Sequence, residues 1–226
     1  MGSTSSNYSY PYQSPPVDDR VQSVLRSTPL FDGHNDLPRQ LCCVTHGKIY
    51  GQPHFDFPKG FERGMTDIPR LREGAVGAQF WSICVHVFAQ LKIFSTLEYS
   101  DMARDAIELL DLATRLIELY PHILELVRQP EDVKRVYDEG EIACSMGGER
   151  LHMTDNSIDI IRAFYKLGAC GPIHSGLSSL GCSCVKEINR LGMIVDVSQV
   201  TMKCAEQVLN STRVPVMFLH SNAVSD

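Results

Sequence analysis

Hydrophobic residues recur at helical spacing between residues 100 and 120, and this is the clearest pattern in the chain. Apolar positions such as Leu109, Ala113 and Leu116 share one helical face, and Pro121 follows where the pattern ends. Shorter patterns of the same kind predict further helices over residues 17–27, 130–139, 157–167, 180–191 and 201–210, and a short helix or a turn over 67–73.

Short apolar runs between these helices predict strands over residues 30–36, 77–87, 142–147, 193–197 and 214–219, and we expect at most six strands. Frequent Gly and Pro residues over 38–63 indicate a loop. Strands that alternate with helices are typical of an α/β fold with a parallel sheet. Because several strands end in His, Asp or Glu, the pattern favours a TIM barrel with its chemistry at the carboxyl ends of the strands.

The composition is that of an ordinary globular protein, with 226 residues of which 43% are hydrophobic. A net charge of −6 argues against a nucleic-acid partner, and no apolar run reaches the length of a membrane span. The eight cysteines are expected to be free thiols.

Residues 1–18 are expected to form a flexible tail before a single domain over 19–226. The tail shows no secretory signal, which predicts a cytoplasmic protein. Gly2 lies in a pattern that fits N-myristoylation, but no Lys or Arg precedes Arg20 to supply the second signal that stable anchoring needs.

Two potential metal ligands, His34 and Asp36, stand at the end of the first predicted strand. Residues i and i+2 of a strand point to the same side, so an imidazole and a carboxylate are aimed together. Glu149 follows the third strand and His220 the last, and this set of donors suits a zinc hydrolase. A His-x-Asp sequence also arises by chance, and His86 in the second strand is more simply a core or edge histidine.

Five segments resemble the membrane (renal) dipeptidase family, whose members are zinc dipeptidases with an amidohydrolase-type TIM barrel. The spelling of the third segment is closer to the fungal branch, some of whose members resemble dipeptidases that trim Cys-Gly conjugates in secondary-metabolite pathways. In chain order, the segments are TPLFDGHNDLPRQL, GAVGAQFWS, GGERLHMTDNSIDIIRAFYKLG, NRLGMIVDVS and VPVMFLHSNA.

The resemblance implies a two-zinc site and a dipeptide substrate cleaved by a metal-bound hydroxide. It implies that His34 and Asp36 bind one zinc and that Glu149 bridges both. It further implies that His220 binds the second zinc and that His152 contacts the substrate or the tetrahedral intermediate. As a separate expectation, the chain forms a homodimer.

Two departures from the family pattern weaken the expectation of activity. Gln199 stands where the family has a histidine ligand of the second zinc, and a carboxamide oxygen is a weak zinc donor. The stretch after Gly168 is shortened, so a barrel strand is expected to be lost or rebuilt there. The chain also ends at Asp226, short of the length of a complete barrel, and we expect the barrel to be incomplete at its C-terminus.

Three functions therefore compete. The first is an active zinc dipeptidase that uses Glu149 and His152 in catalysis. The second is a truncated, catalytically impaired paralogue with weak or single-zinc binding. The third, another metal-dependent amidohydrolase with the same His-x-Asp start, ranks last because it would lack the spacing from Glu149 to His152.

Overall fold

The computed structural model describes residues 19–52, 55–85, 102–149, 151–171 and 178–221. The predicted tail, and with it Gly2, lies outside these ranges, as do His54, His86 and His174. The α-helices are α1 (Asp19–Ser27), α2 (Leu37–Thr45), α3 (Ile68–Glu73), α4 (Met102–Leu119), α5 (Pro130–Asp138), α6 (Ile158–Lys166), α7 (Ser179–Leu191) and α8 (Met202–Ser211). The strands are β1 (Leu30–Asn35), β2 (Val76–Ile83), β3 (Leu124–Leu126), β4 (Ile142–Gly148), β5 (Ala169–Gly171), β6 (Val195–Asp196) and β7 (Val216–Met217).

Five strands form one parallel sheet in the order β1-β2-β4-β3, with β5 paired to the carboxyl-terminal half of β4. The central pair, β2 and β4, stays in register from Ala78 opposite Ala143 to Ile83 opposite Gly148. Strands β6 and β7 form a separate parallel pair. The predicted α/β fold with parallel strands is therefore confirmed.

The larger core lies between the five-stranded sheet and helices α2 and α4. Strand β2 is buried along almost its whole length, as expected for a parallel strand covered on both faces. Trp81 on β2 and Leu116 on α4 are fully buried in this core. A smaller core packs α6, α7 and α8 against β6, and Ile161, Val185 and Val195 lie within it.

The loop prediction over residues 38–63 is wrong in its first part, where α2 forms. Pro38 occupies the first turn of this helix, where its missing N–H is not needed. Leu37 and Leu41 are fully buried, so the helix is fixed by packing rather than by local propensity.

Seven strands are present in the described residues where at most six were expected. β3 was missed because it is only three residues long, and its place is set by pairing with β4. The segment after Gly168 keeps a short strand, β5, on the carboxyl-terminal part of β4. β6 and β7 are two residues each, much shorter than predicted.

No helix in the described part of the chain combines the length and apolar composition that crossing a membrane requires. The seven cysteines whose side chains the structure describes are free thiols.

Candidate metal centre

The turn from β1 to α2 presents His34 and Asp36. Asp32 accepts hydrogen bonds from the His34 backbone N–H and from the Asn35 side-chain amide, each at 3.1 Å. Asn35 Oδ1 in turn accepts the Leu37 backbone N–H at 3.0 Å. These hydrogen bonds fix the strand end as an Asx-type turn. The side chains of His34 and Asp36 therefore extend from a backbone of fixed conformation.

Glu149 reaches the same point from the end of β4. Its backbone N–H donates to the Ile83 carbonyl oxygen at 3.1 Å, which continues the pairing with β2. His34 Nε2 lies 3.6 Å from Asp36 Oδ1 and 3.8 Å from Glu149 Oε2. One donor atom from each of the three residues lies within 4.8 Å of the others. The structure therefore brings three of the four predicted ligands together.

The group is electrostatically coupled. The neighbouring Asp36 carboxylate raises the pKa of His34, although burial acts in the opposite direction. His34 in turn holds the pKa of Asp36 below its usual value. Burial, reinforced by the Glu149 carboxylate, raises the pKa of the Cys84 thiol to about 12. Cys84 is thus a protonated neighbour of the group at neutral pH.

The residues present fit a divalent metal ion. Asp36 Oδ1 is buried and accepts no hydrogen bond from the described residues, and His34 Nε2 at 3.6 Å is beyond hydrogen-bond distance. A buried carboxylate oxygen without a partner is costly, and a bound cation would satisfy it. One imidazole and two carboxylates form a donor set that zinc accepts.

His220 approaches from the other sheet but lies beside the group of three. Its ring stacks on that of His34, with centroids 4.1 Å apart and planes inclined by 7°. Its Nε2 lies 3.0 Å from Gln199 Nε2. A carboxamide nitrogen only donates, so His220 Nε2 is assigned as the acceptor, and its lone pair faces Gln199 rather than a metal.

Asp196 at the end of β6 organises this second region. Its Oδ1 accepts the backbone N–H and the hydroxyl of Ser198, at 2.8 and 2.6 Å, and the Leu219 N–H at 3.3 Å. Its Oδ2 lies 3.9 Å from His220 Nδ1. Gln199 follows with φ of +58°, in the left-handed region that residues other than glycine rarely adopt.

His152 lies on a short 3-10 helix, Leu151–Thr154, directly after the β4 end. Its Nε2 is 3.3 Å from the Val85 carbonyl oxygen. The structure therefore places this predicted catalytic residue next to the end of β2, but outside the group of three donors.

The sequence prediction missed Ser82, Cys84 and Asp196. Ser82 Oγ donates to Glu149 Oε2 at 3.1 Å, and Cys84 lies two residues further along the same segment. The register of β2 against β4 places Ser82 and Cys84 near Glu149. The hydropathy pattern of a single strand does not reveal how that strand pairs with another. The carboxyl ends of the predicted strands were the one signal available, since such ends meet at one edge of a parallel sheet.

Comparison with known proteins gives the family. A sequence model described as "Membrane dipeptidase (Peptidase family M19)" matches residues 18–170 and 172–225. The dipeptidase tcpJ of Claviceps purpurea (strain 20.1) is 34% identical in an alignment 213 residues long, which covers 85% of this chain and 49% of tcpJ. The chain belongs to the membrane dipeptidase family. The matched ranges include every residue of the centre described above, and the predicted resemblance is confirmed.

Solved structures agree with the membrane dipeptidase assignment at the level of fold. The probable dipeptidase PvdM from Pseudomonas aeruginosa gives a TM-score of 0.77 at 19% identity, over 90% of this chain and 55% of PvdM. A metallo peptidase from Rhodobacter sphaeroides, liganded with a phosphinate mimic of the dipeptide L-Ala-D-Ala, gives 0.67 at 21% identity, over 87% of this chain and 66% of that one. The chain thus spans about half the length of tcpJ and of PvdM.

Proposed function

We propose that this chain forms the metal centre of a zinc-dependent dipeptidase, with the metal held by His34, Asp36 and Glu149. The observation that carries the proposal is the convergence of these three donors, within 4.8 Å, at the ends of two strands that flank β2. Membership of a dipeptidase family supports the choice of reaction.

When bound, Zn²⁺ would supply the Lewis acidity that activates water and polarises the peptide carbonyl. The chain's own residues provide the charge and the orientation. Asp36 and Glu149 bring two negative charges to a partly buried position, and His34 adds a neutral nitrogen donor. Because the turn at Asp32 and the β2–β4 pairing fix these side chains in advance, little ordering remains to be done on binding.

Our proposal gives Glu149 and His152 the catalytic roles. Glu149 would orient the attacking water, and His152 would contact the substrate near the reacting carbonyl. The support for His152 is its position three residues after Glu149, on a 3-10 helix attached to the end of β2 through Val85.

One metal ion per chain is the stoichiometry that the contacts favour. A second ion would need His220 as a ligand, but His220 Nε2 already accepts a hydrogen bond from Gln199. Breaking that bond would leave a carboxamide as the neighbouring donor, which zinc binds weakly. The two-zinc centre implied by the family resemblance is therefore not our proposal for this chain.

We propose a dipeptide as the substrate, and a Cys-Gly conjugate of fungal secondary metabolism as its specific form. The family supports the dipeptide, and the similarity to tcpJ of Claviceps purpurea supports a fungal relative. The homodimer and the cytoplasmic location stay predictions, which size-exclusion chromatography with light scattering and cell fractionation would test.

The test combines zinc binding with hydrolysis. Purified chain is assayed on Cys-Gly and Leu-Leu with and without added Zn²⁺, beside Asp36→Asn and the exposed-site control Asp159→Asn. We expect zinc-dependent hydrolysis by the wild type and the control, and a loss of roughly 100-fold or more in Asp36→Asn. Equal hydrolysis by all three proteins would contradict the assigned centre.

A second function, a chain that binds one metal ion without peptidase activity, is favoured by the bond between Gln199 and His220. It predicts zinc bound by the wild type and lost in Asp36→Asn, with no hydrolysis of either dipeptide. The same experiment thus separates the two functions, because they differ in turnover and agree in metal binding.

A further inference from the structure

Ser82 stands at the meeting point of the two carboxylates in the centre. It lies on β2, between the strands that deliver Asp36 and Glu149. Ser82 pairs with Gly147 of β4, which lies two residues before Glu149. Its side chain faces the centre, and Ser82 is only 4% exposed.

The hydroxyl group contacts the centre directly. Ser82 Oγ donates a hydrogen bond to Glu149 Oε2 at 3.1 Å, and that same carboxylate oxygen lies 3.8 Å from His34 Nε2. The oxygen is thus held between a donor on β2 and the imidazole on β1. Rotation of the Glu149 carboxylate away from His34 would cost this hydrogen bond.

The hydrogen bond from Ser82 also opposes the repulsion between the two carboxylates of the centre. Two carboxylates aimed at one point repel each other when no cation lies between them. A buried O–H dipole that donates to Glu149 stabilises the charge of that carboxylate and holds it in place against this repulsion.

We propose that Ser82 is a positioning residue of the metal centre, whose hydroxyl fixes the Glu149 carboxylate next to His34 and Asp36 before the metal ion binds. This inference rests on the proposed function, because it assumes that the three residues bind a metal ion. Residues that hydrogen bond to metal ligands orient the ligands, and their loss weakens metal binding.

Ser145 provides a matched control. It lies on the neighbouring strand β4 and is 5% exposed, so it matches Ser82 in type, element and burial. It lines a separate cavity of about 450 Å³, with Phe31 and Met217 among the other lining residues. Replacing Ser145 with Ala therefore removes a buried hydroxyl from the sheet without touching the centre.

The experiment measures the zinc dissociation constant by competition with a chromophoric chelator, and the visible absorption of the Co²⁺-loaded protein. We expect Ser82→Ala to weaken zinc binding by about 10-fold or more and to alter the Co²⁺ spectrum. Ser145→Ala should change the zinc dissociation constant by less than about 2-fold, because Ser145 lines the separate cavity rather than the centre.

A second pair of variants separates the hydroxyl from the packing. Thr and Val have nearly the same shape, but only Thr keeps a hydroxyl. Ser82→Thr should therefore bind zinc at least about 10-fold more tightly than Ser82→Val. If Ser82→Ala does not fold, the comparison of Ser82→Thr with Ser82→Val tests the inference instead. Equal affinities and spectra for wild type and Ser82→Ala, or for the Thr and Val variants, would overturn the inference. Failure of the wild type itself to bind zinc would instead overturn the proposed function.

Discussion

The two sheets of the molecule support their polar side chains to different degrees. At the ends of β1 and β4, His34, Asp36 and Glu149 are held by neighbours that leave their donor atoms aimed at one point. At the ends of β6 and β7, Gln199 and His220 hydrogen bond to each other. In the first arrangement a buried carboxylate oxygen, Asp36 Oδ1, accepts no hydrogen bond from the described residues, whereas in the second the two side chains are hydrogen-bonded to each other.

The packing beneath each region accounts for the difference. β2 and β4 are paired over six registered residues, and both strands are almost entirely buried. β6 and β7 are paired over two residues, and Met217 is 40% exposed and Phe218 60% exposed. A long buried strand fixes the direction of the side chain that follows it, and a two-residue strand fixes it less.

Removing a charge from the better-supported region should have the largest effect. Glu149→Gln keeps the shape of the side chain and one acceptor oxygen but loses one of the two negative charges. We expect zinc affinity to fall by more than roughly 10–100-fold, which is the loss when a residue that only orients a ligand is replaced. Isothermal titration with Zn²⁺ measures the change, and the exposed-site variant Glu118→Gln is the control. Unchanged affinity in Glu149→Gln would place the metal elsewhere.

Forcing the two regions apart should have the next largest effect. A Cβ atom on Gly33 would lie 2.7 Å from the Leu219 carbonyl oxygen, so Gly33→Ala must displace the chain that carries His220. We expect a loss of about 1–3 kcal/mol in the free energy of unfolding, measured by urea denaturation.

Gly74 provides the comparison for this variant. It has φ of −75° at the end of α3, and a Cβ there would meet its nearest neighbour at 3.2 Å. Gly74→Ala should therefore cost less than Gly33→Ala, because its backbone conformation is open to alanine. Equal losses for the two variants would show that the regions are not in close contact at Gly33.

Converting the second region into a ligand site should have a smaller effect. Gln199→His replaces the donor that occupies His220 Nε2 with an imidazole that zinc can bind. We expect a second zinc ion to bind more weakly than the first, because the strands below it are short. Zinc counted by elemental analysis after dialysis at increasing Zn²⁺ checks this. A variant that still binds one ion at saturation would show that Gln199 is not what excludes the second.

The smallest effect is expected for Glu187, which lies on α7, a helix of the smaller core. Arg190, followed by Arg162, lowers the pKa of Glu187 to about 2, from an ordinary value of 4.5. A lowered pKa stabilises the fold above pH 4.5, and this contribution is lost as the pH falls towards 2. Glu187→Gln should therefore lower the melting temperature by about 1–3 °C at pH 7 and by less near pH 2. A larger difference at pH 2 than at pH 7 would reverse the sign of this coupling.

The sequence predicts the better-supported region more completely than the other. His34 and Asp36 follow from strand periodicity, and Glu149 follows from its place after a buried run. α2 was missed because Pro38 suggests a loop until the burial of Leu41 is known. The role of Ser82 depends on register between two strands that are far apart in sequence, which the periodicity of one strand cannot supply.

The contact between Gln199 and His220 was also beyond prediction from the sequence. The family pattern marks Gln199 as a replaced ligand, but the pattern does not show where its side chain points. The left-handed backbone at Gln199 and the turn organised by Asp196 direct the carboxamide toward His220. These are consequences of tertiary structure around two very short strands.

Native mass spectrometry of the intact chain at saturating Zn²⁺ tests the central claim most directly, because it counts the ions bound to each molecule. We expect one zinc ion per wild-type chain, lost when Asp36 is replaced by Asn and retained when Asp159 is. Two tightly bound ions in the wild type, or one ion that survives the Asp36 substitution, would contradict it.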